Sequence, residues 1–170
     1  MKTKISLLLA IILLATTHLI AQDTTSSTDS SNNQSSHLPQ AVYAEFFGNG
    51  LVFSANYDVR FSKTGKGLGI HLGFGFFGMT GSGIITIPVG INHLAGKAPN
   101  YFESGLGYTF AQLTGWSGNI KGSVLIPSIG YRYQPVQKGF FARVVISPLI
   151  NLEKDGGYAF WAGVGVGHSF

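Results

Sequence analysis

The sequence contains no cysteine. That excludes a disulfide framework, a thiolate metal site and a lipid anchor attached through cysteine. Charged residues make up only 11% of the 170 positions, against about 25% in an ordinary soluble domain, and they leave a formal net charge of +4. So few charges exclude nucleic-acid binding through a dense basic patch and a long solvated tail of one sign. A helical period is missing throughout the main body of the chain, which removes helical bundles and alternating helix–strand folds. What the chain does have is 45% hydrophobic residues and 24 glycines. The length suits one domain, and such a composition poses the question of what keeps it from aggregating.

Two N-terminal segments differ from the rest. Lys2 and Lys4 precede an apolar run from Ile5 to Ala15, and Leu19-Ile20-Ala21 offers a small-residue cleavage site. Residues 1–21 therefore read as a cleaved secretory signal peptide. The run is too short, and too broken by Thr16, Thr17 and His18, for the ~18 apolar residues of a spanning helix. Residues 22–39 are mostly Ser, Thr, Asn, Gln and Asp. They cannot bury enough apolar surface to offset ordering, so a disordered tether is expected there.

From residue 40 to 170 apolar residues alternate with small or polar ones, the period of a β-strand. Eight runs stand out, at 40–47, 51–61, 67–77, 83–94, 100–112, 122–134, 139–150 and 158–170. Between them lie turn-forming connectors such as Gly48-Asn49-Gly50, Gly78 to Ser82, Ala95 to Pro99 and Leu113 to Lys121. Connections this short imply antiparallel neighbours, and hence an up-and-down meander. Each run has a bulky face and a small or polar face. Leu68, Ile70, Leu72, Phe74 and Phe76 oppose Gly69, His71, Gly73 and Gly75; Phe53, Ala55, Tyr57, Val59 and Phe61 oppose Ser54, Asn56, Asp58 and Arg60.

Volume decides which face is inside. The interior of an eight-stranded barrel is just wide enough to be filled by side chains, so about four large residues per strand cannot all point inward. A glycine-rich outer surface in water would make little physical sense either. Turned the other way, the bulky face meets lipid and the small, polar face fills the lumen. No Asp, Glu, Lys or Arg falls on the bulky face of any run, where a midplane Arg or Lys would cost ~2–4 kcal/mol. The expected fold is thus all-β: an eight-stranded antiparallel transmembrane barrel, whose closure satisfies every backbone group. Pro88, Pro127 and Pro148 lie within runs; since proline belongs at edges or bulges, bulges or register shifts are expected there.

The chain from about residue 40 onward resembles the small bacterial outer-membrane β-barrels of the OmpA and OmpX kind. The resemblance rests most specifically on the last run, where Ala162, Val164, Val166, His168 and Phe170 share one face and end on an aromatic. That pattern is similar to the family's C-terminal assembly signal, with His168 standing where an aromatic is common. The resemblance implies a Gram-negative outer-membrane location with both termini periplasmic. It further implies a monomer surrounded by outer-membrane lipids and lipopolysaccharide, recognised by the barrel assembly machinery during biogenesis. On that topology Gly48–Gly50, Gly78–Ser82, Leu113–Lys121 and Asn151–Gly157 face outside, and they are short for the family. Phe61, Phe102, Tyr131, Tyr133, Phe140 and Phe170 would mark the periplasmic aromatic girdle, and Phe46, Phe76, Phe110 and Phe160 the outer one.

The candidate site is the lumen. Glu45, Asp58 and Glu103 would share it with Arg60, Arg132 and Arg143, three acids against three bases, with His71 and Asn92 nearby. A matched set of buried charges reads as a plug; the alternative is a gated polar path for small solutes or ions. A lipid-modifying enzyme on a small barrel is the third reading. It would need a Ser beside an oriented base, and the tempting pair His168-Ser169 points to opposite faces. His71, His93 and His168 lie on three different runs, so neither a metal site nor a cofactor is expected. The role anticipated is structural or interactional at the cell envelope.

Overall fold

A computed structural model describes residues 37–115, 118–153 and 156–170. The expected signal peptide, and nearly all of the expected tether, lie outside the described residues. The eight strands are β1 (Gln40–Phe46), β2 (Phe53–Arg60), β3 (Gly67–Met79), β4 (Ser82–Lys97), β5 (Asn100–Gly115), β6 (Gly118–Tyr133), β7 (Gly139–Asn151) and β8 (Tyr158–Ser169). Each pairs antiparallel with its chain neighbours, and β1 pairs with β8 to close the barrel. Reciprocal hydrogen bonds between Gln40 and Phe170 seal that seam where β1 begins and β8 ends.

The alternation seen in the sequence sets the two surfaces. Ser54, Asn56, Asp58 and Arg60 of β2 are buried inside, while Leu68, Ile70, Leu72, Phe74 and Phe76 of β3 are exposed on the outer wall. The last strand puts Val164, Val166 and Phe170 on the outer wall, with His168 exposed on the same side. Narrow closure needs small residues inside. A side chain at Gly73 would strike Asn56 and one at Gly167 would strike the β1 backbone.

Three expectations need correction. First, the prolines cause no bulge. Leu125 pairs with Ile150 and Ile129 with Ile146, one unbroken register that sets Pro127 opposite Pro148 where the β6–β7 pairing lapses. Pro88 likewise sits opposite Gly73, in a lapse of the β3–β4 pairing flanked by the same register on both sides. In each case the ladder to the other neighbour is complete. A strand residue directs its N–H to one neighbour only, so each proline forfeits bonds on one side and leaves the register intact.

Second, Leu113–Lys121 is not a loop. β5 runs to Gly115 and β6 starts at Gly118, so the β5–β6 hairpin, level with the β3–β4 turn, extends past the end of the β6–β7 pairing at Val124 and Asn151; β4 likewise extends through most of Ala95–Pro99. Third, Gly48–Gly50 does not point away from the barrel. β1 and β2 are the shortest strands, at 7 and 8 residues, and the loop joining them folds down into the lumen. Phe47 and Leu51 adopt left-handed φ values of 55° and 68°, the uncommon backbone that makes this inward turn.

Candidate functional site

The lumen is filled in two tiers. The lower tier, toward the start of β1 and the end of β8, is a chain of buried charges. Arg60 and Asp58 on β2 lie 3.6 Å apart, and Asp58 reaches Arg132 of β6 at 3.1 Å. Arg132 meets Glu103 of β5 through two nitrogens, each at 2.8 Å, the two-pronged geometry that suits guanidinium and carboxylate. Arg143 of β7 then bridges Glu103 at 3.2 Å and Glu45 of β1 at 3.3 Å. All six side chains are essentially inaccessible to solvent, and their formal charges cancel.

Such a set is held by more than charge. Asn92 of β4 accepts from Arg60 and donates to Asp58 Oδ2 at 2.6 Å. Arg60 also donates to the Gly67 carbonyl at 2.6 Å, and Gln134 accepts from Arg132. Tyr43 and Phe141 stack with ring centres 4.6 Å apart. Arg143 lies 5.5 Å from the Tyr43 ring centre and Arg132 lies 5.2 Å from that of Phe141. These guanidinium–ring contacts hold cations in a dry interior where a hydrated ammonium would fare worse. Tyr43 also accepts a hydrogen bond from Arg143 at 2.8 Å.

The upper tier is the inturned β1–β2 loop. Its Asn49 is buried; the backbone N–H donates to Glu45 Oε2 at 3.0 Å and the side-chain amide lies 2.7 Å from His71 Nε2. Thr109 of β5 donates to the Asn49 carbonyl, and Thr86 of β4 donates to the Gly50 carbonyl at 3.0 Å. Glycines let the loop sit this deep. A Cβ on Gly107 would press on the Asn49 side chain, one on Gly75 would strike the Thr86 hydroxyl and one on Gly163 would strike the Gly48 backbone.

The structure thus brings Glu45, Asp58, Arg60, Glu103, Arg132 and Arg143 into one network. His71 is set apart, one level up, as a partner of the loop rather than of a carboxylate. Asn49, Tyr43, Phe141 and Gln134 were missed as site residues. Strand parity places Tyr43 and Phe141 on the inner face, but nothing in their spacing says that they stack. For Asn49 no sequence signal gives the direction in which a short Gly-Asn-Gly connector folds. Of the pair His168-Ser169, Ser169 faces inward and donates to the carbonyls of Gln137 and Gly139, while His168 faces the outer wall. A separate open cleft at the loop end, bordered by Phe76, Thr80, Ser82, Thr114 and Asn119, lies on the outside of the β3–β6 extension and does not reach the network.

No family model matches the chain, and no curated protein sequence matches it. Among solved structures, the N-terminal β-barrel domain of Pseudomonas aeruginosa OprF superposes with a TM-score of 0.54 at 16% identity, covering 78% of this chain and 96% of that one. The fold is that of a small outer-membrane β-barrel. The attachment invasion locus protein Ail of Yersinia pestis also aligns, at 14% identity and a TM-score of 0.39, over 78% of this chain and 95% of that one. At 16% identity the likeness to the OprF domain is one of fold alone.

Proposed function

We propose that this chain is an integral outer-membrane β-barrel with both termini periplasmic, serving a structural or interactional role at the cell envelope with its lumen closed. The observation that carries this reading is the contrast between the two sides of one wall. Large apolar side chains such as Leu72, Phe74, Ile91 and Ile146 are more than half exposed on the outside, while the six charges inside are sealed by two tiers of polar contacts. In water that arrangement would expose a continuous apolar belt far larger than a soluble monomer carries. In a bilayer the belt is solvated and the closed barrel leaves no strand edge for lipid to meet.

The absence of native cysteine allows a clean test by single substitutions. In the intact cell Thr80→Cys, in the β3–β4 turn, is expected to react with a water-soluble maleimide. Lys63→Cys, in the turn at the opposite end, is expected to react only after permeabilisation, and Leu72→Cys only with a bilayer-soluble reagent. Reaction of Leu72→Cys with the water-soluble reagent would overturn the membrane reading. Reversed behaviour of the two turn positions would overturn the orientation.

A further inference from the structure

Above the inturned loop the two faces of the wall exchange chemistry. Phe77, Ile84, Leu113 and Ile120 are successive cross-strand partners on β3, β4, β5 and β6, so they form one row. Their parity with Gly75, Thr86 and Thr109, which meet the loop inside, places that row on the inner face. At the same height the outer face carries Gln112 paired with Lys121 and Thr114 paired with Asn119. The inner row is uncovered: Phe77 and Leu113 are each 46% exposed and Ile120 is 68% exposed. Single exposed hydrophobics are ordinary, but a contiguous row facing into a concave mouth marks a binding surface.

The mouth also lacks part of its wall. β1 ends at Phe46, paired with Val164, and the β2–β3 pairing stops at Ala55 with Phe74. Above those levels β8 from Tyr158 to Gly163 pairs only with β7, and β3 from Gly75 to Met79 pairs only with β4. β2 still stands beside Gly75, where a side chain would meet the Phe53 carbonyl; above that level both strands are missing, a gap of three strand spacings or roughly 14 Å along the wall. Phe160 and Phe76 flank it on the outside, at 76% and 59% exposure. Through this gap the apolar outer belt and the apolar inner row are continuous. The floor is the seated loop, where Phe47 meets the Trp161 ring edge-on at 5.6 Å.

We propose that this mouth binds one extended acyl chain of a membrane lipid, entering sideways through the gap between β8 and β3 and lying along the inner row. The proposal rests on the membrane reading above. An eight-stranded interior is just wide enough to be filled by side chains, so it admits a single alkyl chain but neither a helix nor a strand pair of a protein partner. A chain drawn directly from the adjoining lipid covers the row without crossing water, which favours a lipid over a ligand arriving from solution.

The test is photolabelling of the full chain in phosphatidylcholine vesicles carrying a diazirine on one acyl chain, with adducts mapped by mass spectrometry. Adducts are expected on inner Ile84 and Leu113 as well as on outer Ile70 and Ile87. Leu113→Asp is expected to lower the Ile84 adducts about tenfold, the ratio set by ~1.4 kcal/mol of lost affinity, and to leave the outer adducts unchanged, which also reports that the variant is folded. Leu113→Ser, a milder change, is expected to show a smaller drop. Adducts confined to Ile70 and Ile87 would overturn the acyl-chain site while leaving the membrane reading in place. Adducts at neither set would overturn both. Inner adducts obtained only from a photoreactive free fatty acid added in water would overturn lateral entry from the lipid.

Discussion

Arg143 shows how much of the lumen depends on single side chains. It neutralises Glu45 and Glu103 together, donates to Tyr43 and lies against the Tyr43 ring. Arg143→Ala would strand Glu45 without its ion-pair partner in a dry interior, and removing one member of a buried pair costs about 3–5 kcal/mol. Glu103→Ala should cost less, because Arg132 keeps Asp58 and Arg143 keeps Glu45. Arg143→Lys should fall between wild type and Arg143→Ala, since one ammonium cannot reproduce a fork spanning two carboxylates. Denaturant unfolding in detergent micelles checks the order; unchanged stability in both alanine variants would disprove the plug. The charges were legible at this scale because strand parity alone sends Asp58, Arg60 and Arg132 inward. Their partners were not, because pairing across the lumen depends on the stagger of the strands, which no single strand reveals.

Among the elements, the β1–β2 hairpin departs most from its sequence pattern. Gly48-Asn49-Gly50 has the composition of an exposed hairpin turn, yet the shortness of β1 and β2 and glycines on three other strands let it seat inside. Gly163→Val is expected to unseat it, because the added side chain meets the Gly48 backbone. Hydrogen exchange at the Asn49 amide, held at 3.0 Å to Glu45, should then become faster while exchange in β5 stays slow; equal protection in variant and wild type would count against the loop being held by this fit. The facing prolines make a second prediction. Pro127→Val and Pro148→Val each restore one N–H to the β6–β7 ladder, at a net gain of about 1 kcal/mol per hydrogen bond. The double variant should therefore unfold at a higher temperature than either single one. Composition located the prolines inside strands but could not show that two of them share one rung, since that requires the register. The top of β5 and β6 was hidden for a different reason: Gly115, Gly118 and Gly122 interrupt the alternation just where the polar face changes side.

At the scale of the whole molecule, scarcity of charge and abundance of glycine have one cause. A narrow closed barrel turns its bulky side chains outward, so it needs small residues and a few matched charges inside, and a bilayer outside. Strand number, topology and the identity of the two faces all follow from period-two alternation over residues 40–170. What occupies the outer mouth does not, because the inverted inner row appears only once Phe77, Ile84, Leu113 and Ile120 are seen as partners. Two tiers, the charge network and the seated loop, close the lumen below the open mouth. Single-channel recording of the full chain in a planar bilayer tests it most directly. A lumen closed in this way gives a silent bilayer for the wild type and current steps for Gly163→Val combined with Arg132→Ala, which removes part of both tiers; a steady unitary current from the unmodified chain would show that the lumen is open.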